Sequence, residues 1–164
     1  MKHPWLPVAG LSLLLTAASA WADMRAQDFV DKASAAGMAE IEAARLALEE
    51  GRSAEVKRFA ERMIKDHTAA NEDLKALASR KQLEVADAPD AMDKAKTMLL
   101  ELREGENFDD AYARNQVNAH EQVVELFREA SQSLDDRELQ AFAKEKLPAL
   151  EEHLEMARKL AGDQ

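Results

Sequence analysis

The sequence contains one helical pattern twice, and the second copy follows the first by 83 positions without insertion or deletion. The tetrad Glu55-Val56…Phe59-Ala60 returns as Glu138-Leu139…Phe142-Ala143. Other matched pairs extend along both helical segments of each copy: Phe29 and Tyr112, Ala36 and Ala119, Ile41 and Val124, Glu42 and Glu125, Arg45 and Arg128, Ala47 and Ala130, and Leu77-Ala78 and Leu160-Ala161. A helical hairpin cannot bury its apolar stripe alone, so two related hairpins predict one shared core.

Helical periodicity dominates the chain, and strand signals are lacking. Four long helices and a short one are predicted. The first long helix runs from about Ala26 to Glu50, and the second starts after the N-cap Ser53. The short helix runs from about Ala91 to Arg103, the third long helix starts after the cap Asn107, and the fourth starts at Asp135 or Asp136. The loops within each hairpin are tight, whereas roughly 25 residues join the hairpins, which is the ferritin-like arrangement of an all-α four-helix bundle. An up-down-up-down bundle with a decorated loop is the alternative.

The N-terminus has the pattern of a secretory signal peptide over residues 1–22. A short basic start precedes an apolar run over residues 6–18, and small residues suit cleavage after Ala20 or, as we favour, Ala22. A membrane span needs about 20 apolar residues, so this run is too short to serve as one. We therefore predict a cleaved signal peptide, a single mature domain over residues 23–164 and a periplasmic location.

Composition limits the partners that the chain can have. Asp and Glu outnumber Lys and Arg by 32 to 22, so the formal net charge is −10. This charge would repel phosphates and anionic lipids, and we expect neither nucleic-acid binding nor stable membrane insertion after cleavage. The sequence contains no Cys. Disulfides and a lipid-modified cysteine are therefore excluded, and the core alone must hold the domain together. Protein partners and oligomeric state stay open.

Three histidines and one glutamate occupy the apolar stripes of the four long helices: Glu40 on the first, His67 on the second, His120 on the third and His153 on the fourth. At about 1.5 Å per residue, all four lie well inside their helices and within roughly 10 Å of a common level. A buried carboxylate costs several kcal/mol unless it is paired. The four side chains therefore predict either a hydrogen-bonded polar network or a mononuclear site for Zn²⁺, Cu²⁺ or Fe²⁺.

We rank the polar network first, because a histidine on an apolar stripe is more often a satisfied core residue and no His-Glu-x-x-His motif occurs. A dinuclear carboxylate centre would need Glu three residues before the histidines. Positions 64, 117 and 150 are Ile, Val and Leu instead, so a ferritin-type oxidase is not expected. The acids that adjoin the histidines in sequence point about 100° away from them, which suits a supporting or surface position: Asp66, Glu121 and Glu152.

Other catalytic chemistry is not expected either. The chain has no thiol, no Gly-rich phosphate loop and no serine in a nucleophile-elbow context. Four of its seven methionines are spaced singly at helical intervals and are predicted to fill the core rather than to form a copper-binding cluster: Met63, Met92, Met98 and Met156. We therefore expect a protein that is not an enzyme.

Both halves carry blocks that can be compared with known families. In the first half they are Phe29-Val30, Gly37-Met38, Glu40-Ile41, Phe59-Ala60 and Met63-Ile64-Lys65-Asp66-His67; in the second they are Phe108-Asp109, Tyr112, His120, Phe142-Ala143, Leu147-Pro148-Ala149-Leu150 and His153. These blocks resemble the exported bacterial ferritin-like family catalogued as domain of unknown function 4142. The resemblance implies a periplasmic bundle without an established role. The family's recurring histidines map onto His67, His120 and His153, and its acid on the first helix maps onto Glu40.

The leading hypothesis for function is a non-enzymatic periplasmic module that acts in envelope stress or in binding. The rival hypothesis is a metal-binding or redox protein centred on Glu40 and the three histidines. A receptor for a small apolar ligand within the bundle is a third hypothesis.

Overall fold

Five helices account for nearly all of the residues that the computed structural model describes, 24–103 and 106–162. They are α1 (Ala26–Glu50), α2 (Ala54–Arg80), α3 (Ala91–Glu101), α4 (Glu106–Ser133) and α5 (Arg137–Ala161). The predicted all-α class is confirmed. None of the helices in this part of the chain is both long and apolar enough to cross a membrane. The predicted signal peptide, residues 1–22, lies outside the described residues.

The helix N-caps repeat together with the hairpins. Ser53 begins α2 by accepting a hydrogen bond from the Val56 amide at 3.0 Å. Asp136, 83 positions further on, begins α5 by accepting hydrogen bonds from the amides of Glu138 and Leu139. Both side chains satisfy amides that have no partner within their own helix, which is why each helix starts where the sequence predicts.

Contacts at the two ends of the bundle fix the directions of the helices. At one end, Asp109 in the first turn of α4 accepts hydrogen bonds from the amides of Arg52 and Ser53, which lie between α1 and α2. At the other end, Lys81 after α2 forms an ion pair of 2.8 Å with Asp136 before α5. Helices α2 and α4 therefore start at one end of the bundle, and α1 and α5 start at the other.

The connection between α2 and α4 must consequently span the whole length of the bundle. Helix α1 packs against α2 and α4, and α5 packs against the same two helices. This is the predicted ferritin-like bundle of two related hairpins with one long crossover, so the prediction is confirmed. The up-down-up-down alternative is wrong, because it would place the start of α4 beside the end of α2.

The crossover follows α1 from its beginning towards its end. Gln27 exchanges two hydrogen bonds with the backbone of Glu84, at 2.8 and 3.2 Å. Ser34 accepts a hydrogen bond from the Ala86 amide at 2.9 Å. Helix α3 then lies across α1 and α4 and places Leu100 in the core. The short helix that the sequence predicts within the crossover is thus present.

Helix α3 does not bury the apolar residues that its periodicity suggests. Three of its large apolar side chains, and Leu102 directly after its end, are 62 to 79% exposed: Met92, Met98 and Leu99 within the helix, and Leu102. The prediction that Met92 and Met98 fill the core is wrong, because α3 lies on the outside of the bundle and contacts it through one narrow face. Met63 of α2, by contrast, is fully buried as predicted.

The core consists of two clusters, one towards each end of the bundle, and the repeat relates them. Phe29 of α1 packs against Phe142 of α5 with ring centroids 6.5 Å apart and ring planes at 68°. Their counterparts 83 positions away, Tyr112 and Phe59, pack with centroids 6.2 Å apart and planes at 70°. The two hairpins are therefore related by an approximate twofold rotation, and a middle layer lies between the clusters.

Asp109 has a structural role that the sequence did not indicate. Its carboxylate lies within 3.0 Å of the Arg52 amide and 2.8 Å of the Ser53 amide, so it ties the α1–α2 loop to α4. The cap predicted at Asn107 is wrong, because α4 already begins at Glu106 and residue 107 is helical.

We expect Asp109→Ala to lower the free energy of unfolding by about 2 kcal/mol, because two loop amides would lose a charged acceptor. Asp110→Ala is the matched control, since Asp110 is exposed and adjacent in sequence. Urea unfolding followed by circular dichroism measures both. Equal midpoints for the two variants would show that the contact contributes nothing to stability.

Candidate metal centre

The middle layer of the bundle brings the three predicted histidines together. His67 of α2, His120 of α4 and His153 of α5 are 5, 0 and 2% exposed. Their ring centroids form a nearly equilateral triangle with sides of 5.6, 5.5 and 5.6 Å. One ring nitrogen of each histidine lies within 4.8 Å of the other two. Because each ring comes from a different helix, packing creates this triangle and no local spacing motif is needed.

Hydrogen bonds fix the tautomers of two of these rings. His120 Nδ1 lies 2.9 Å from the backbone carbonyl oxygen of Gln116, which can only accept, so Nδ1 carries the proton. His153 Nε2 lies 3.0 Å from the Asp66 carboxylate and donates to it. In each ring the opposite nitrogen is left with a free lone pair, which is the state that a metal ligand requires.

Three ring nitrogens, one from each histidine, have no hydrogen-bond partner in the described part of the protein. They are His67 Nε2, His120 Nε2 and His153 Nδ1, and all three are fully buried. Leaving a buried polar atom unsatisfied costs about 1–3 kcal/mol. Three such atoms facing one layer of the core favour a bound cation over the hydrogen-bonded polar network that the sequence had ranked first, since no hydrogen bond joins the rings to one another.

The size of the triangle fits a metal ion at its centre. The point equidistant from the three ring centroids lies roughly 3.2 Å from each of them. This is close to the sum of a metal–nitrogen bond of about 2.0–2.1 Å and the distance from a nitrogen to the centre of its own ring. Imidazole ligands suit Zn, Cu, Fe or Ni.

Asp66 supports the triangle from outside it. Although burial acts in the opposite direction, hydrogen bonds from His153 and Arg62 lower the pKa of the Asp66 carboxyl below its usual range. Arg62 also forms an ion pair of 2.8 Å with Glu152 of α5. A carboxylate that accepts a hydrogen bond from a ligand histidine orients the ring and raises its basicity. The sequence placed Asp66 in a supporting or surface position, but it did not reveal that its partner lies on another helix.

Burial lowers the pKa values of His67 and His153 and so favours their neutral forms in the absence of metal. For His67, burial is the largest cause, and the neighbouring rings of His120 and His153 add to it, so that its pKa falls to about 3. Burial also lowers the pKa of His153, although the hydrogen bond to Asp66 opposes this. Neutral rings offer lone pairs to a metal ion near neutral pH, so metal need not displace protons from these two residues.

Glu40, the fourth predicted ligand, lies near the triangle but not within it. Its side chain is 5% exposed, and its Oε2 has no hydrogen-bond partner in the described residues. It does not belong to the group of side chains whose ligand atoms lie within 4.8 Å of one another. Burial raises the pKa of the Glu40 carboxyl above its usual range, and the nearby His120 opposes this shift. Direct ligation by Glu40 stays a prediction.

Two residues of α4 extend this polar region towards one end of the bundle. Tyr112 and Gln116 are fully buried, and neither the Tyr112 hydroxyl nor the Gln116 amide has a hydrogen-bond partner among the described residues. Burial raises the pKa of Tyr112 well above its usual value, and the charge of Glu40 adds to this shift. The hydroxyl is therefore a neutral donor near the site.

The triangle breaks the internal repeat. The positions 83 residues away from His67, His120 and His153 are Leu150, Gly37 and Ala70. These three residues line a cavity of about 30 Å³ beside His67, and most of its other lining is apolar. The approximate twofold axis thus relates the three histidines to Leu150, Gly37 and Ala70, none of which can ligate a metal, which explains why two related hairpins form one site and not two.

Comparisons with known proteins agree with the fold. The family described as Domain of unknown function (DUF4142) matches residues 13–160. No curated protein matches the sequence. A solved structure named "CopM in the Cu(II)-bound form" is similar with a TM-score of 0.68 and 14% identity, covering 86% of this chain and 98% of that one. Another, "CopM in the Cu(I)-bound form", has a TM-score of 0.70 and 16% identity, covering 84% and 95%. At such identities the likeness establishes the fold alone.

Proposed function

The chain belongs to the family described as Domain of unknown function (DUF4142), and for this member we propose that it binds a single transition-metal ion through His67, His120 and His153. Two observations carry the proposal together: each of the three rings has one buried nitrogen without a hydrogen-bond partner, and the three rings can each place one ligand nitrogen within 4.8 Å of the others. This reverses the order of the two hypotheses that the sequence suggested, since the geometry favours the metal-binding one.

Copper is the ion that we propose first. Imidazole ligands bind copper more tightly than the other divalent first-row metals, so a three-histidine site selects copper wherever it is available. The two similar structures are named as Cu(II)-bound and Cu(I)-bound forms of CopM, and they have the same fold. Zinc and iron are the alternatives, and both accept the same ligands.

The proposed activity is binding and not catalysis. The histidines lie in the interior, and the described residues around them include no thiol and no pair of carboxylates of the dinuclear type. With the predicted signal peptide, we propose that the protein works in the periplasm as a carrier or buffer of metal ions. The acidic surface supports the further proposals that it binds neither nucleic acid nor anionic membranes.

Metal analysis of the natively purified protein tests this function. We expect about one equivalent of a transition metal per chain in protein isolated from the exported fraction, because three buried imidazoles would hold the ion through purification. Apoprotein titrated with Cu²⁺ should reach the same stoichiometry. Elemental analysis and equilibrium dialysis provide the two measurements.

His120→Leu is the control variant, because leucine fills a similar buried volume and supplies no ligand. It should contain no stoichiometric metal. If the purified unaltered protein contained no transition metal and also failed to bind added Cu²⁺, Zn²⁺ or Fe²⁺, the proposal would be wrong.

A further inference from the structure

Two openings approach the layer that holds the histidine triangle, and they differ in charge. The first is a groove of about 650 Å³ between α1 and α4, and the second is the cavity of about 30 Å³ beside His67. The groove is lined by six carboxylates and one ammonium group, Lys32. The carboxylates are Glu40, Asp90, Asp93, Glu121, Glu125 and Glu129. A cleft lined by charges of one sign raises the local concentration of counter-ions.

The second opening is unfavourable for a cation. Lys146 lines it, and its ammonium group lies 5.5 Å from the centre of the Phe142 ring. The same group pairs with Asp73 at 2.7 Å, so it is held in this position. This ammonium group also pairs with Glu145 at 3.1 Å, and no carboxylate of the described residues lines the cavity, so an approaching metal ion would meet mostly apolar side chains and no attracting charge there. The groove between α1 and α4 is therefore the better route for a cation.

Glu40 is the carboxylate that links the groove to the triangle. Other acids of the groove are paired with arginines: Glu121 with Arg158 and Glu125 with Arg128, each at 3.1 Å. Glu40 has no such partner among the described residues, and its unsatisfied Oε2 belongs to a side chain that lines the groove and is 95% buried. It also lies near His120, which contributes to the electrostatic environment of its carboxyl group.

We propose that the groove between α1 and α4 is the route by which the metal ion reaches the histidines, and that Glu40 is its transfer ligand. This inference rests on the proposed function. A Glu40 carboxylate oxygen replaces one water of the hydrated divalent ion, and the lone pair of His120 Nε2 then replaces that carboxylate. Water leaves by the groove, no bond to hydrogen is broken, and the metal keeps its oxidation state.

The rate of metal loading tests the proposal separately from the amount bound. The full chain is mixed with Co²⁺ in a stopped-flow instrument, and its visible absorption reports when the ion enters the histidine site. Glu40→Gln should load roughly tenfold more slowly than the unaltered protein, as expected for the loss of an attracting charge. The amount of Co²⁺ bound at saturation is measured for both proteins, so that the loading rates are compared for equally filled sites. Added NaCl should slow the unaltered protein more than the variant.

Two further variants complete the experiment. Glu61→Gln removes the same charge from an exposed position of α2 outside the groove and should load at the unaltered rate. Ala36→Phe places a ring in the groove one turn from Glu40 and should also slow loading. If Glu40→Gln loaded as fast as the unaltered protein, the transfer role of Glu40 would be overturned. If Ala36→Phe loaded as fast as the unaltered protein, the groove would not be the route.

The remaining outcomes separate this inference from the function on which it rests. If Glu40→Gln released Co²⁺ faster and had a changed absorption spectrum, Glu40 would be a permanent ligand of the bound ion. Its role in transfer would then be overturned, and the proposed histidine site would still hold. If the unaltered protein bound no Co²⁺, Cu²⁺ or Zn²⁺, the proposed function itself would fail.

Discussion

Cu²⁺ should raise the free energy of unfolding by about 4 kcal/mol when the free metal concentration is 1,000 times its dissociation constant. The ion binds the folded triangle, whereas the unfolded chain presents the three histidines far apart in sequence. His120→Leu should abolish this gain and leave the metal-free protein folded, because the substitution removes a buried nitrogen without a partner and keeps the volume filled. Urea unfolding at fixed free Cu²⁺ measures the effect.

Asp66→Asn should weaken metal binding without abolishing it, which a titration of the apoprotein with Cu²⁺ measures. It keeps the shape of the side chain but removes the charge that accepts the hydrogen bond from His153. Outer partners of this kind typically contribute about 10- to 100-fold to metal affinity. The matched control is Asp73→Asn, on the same helix, whose carboxylate pairs with Lys146 and not with a histidine. An equal affinity loss in both variants would mean that overall charge, and not the orientation of the His153 ring, sets the affinity.

The fold could be predicted because its determinants are local or repeated. Ser53 and Asp136 are capping residues at equivalent positions, and the apolar stripes between them have helical spacing. The ferritin-like connection was predicted from the loop lengths together with the internal repeat, since a long crossover between two related hairpins is needed when α2 and α4 start at the same end. Helix α3 was less predictable, because periodicity identifies an apolar face but does not say whether another layer covers it. Met92 and Met98 are exposed for this reason.

The members of the site could be predicted in part, but their chemistry could not. Stripe positions placed His67, His120 and His153 at one level of the bundle, and the structure brings them together. The choice between a polar network and a metal site depends on which ring nitrogen is protonated. For His120 this is decided by the carbonyl group of Gln116, one turn away on the same helix. For His153 it is decided by the carboxylate of Asp66, which lies on a different helix. Such contacts depend on helix rotation and packing, which spacing does not specify.

The metal-free protein should lose stability as the pH falls from 7 towards 5. In the unfolded chain His67 has a pKa of about 6.5, whereas burial and the adjacent rings of His120 and His153 hold it at about 3 in the folded protein, with Asp66 opposing weakly. Below 6.5 the unfolded chain therefore binds a proton that the folded protein does not. Each such histidine lowers the free energy of unfolding by up to about 1.4 kcal/mol per pH unit. The lowered pKa of His153 acts in the same direction.

His67→Leu isolates this effect, because the internal repeat already places leucine at the equivalent position, Leu150. The raised pKa of Glu40 has the opposite sign, since the folded protein then binds the extra proton, but this contribution is common to both proteins and cancels in the difference. With chelator present, urea unfolding between pH 7 and 5 should show a shallower pH dependence for the variant. A steeper dependence in His67→Leu would mean that His67 is charged in the folded protein and paired with an acid, and the site would not be a set of neutral ligands.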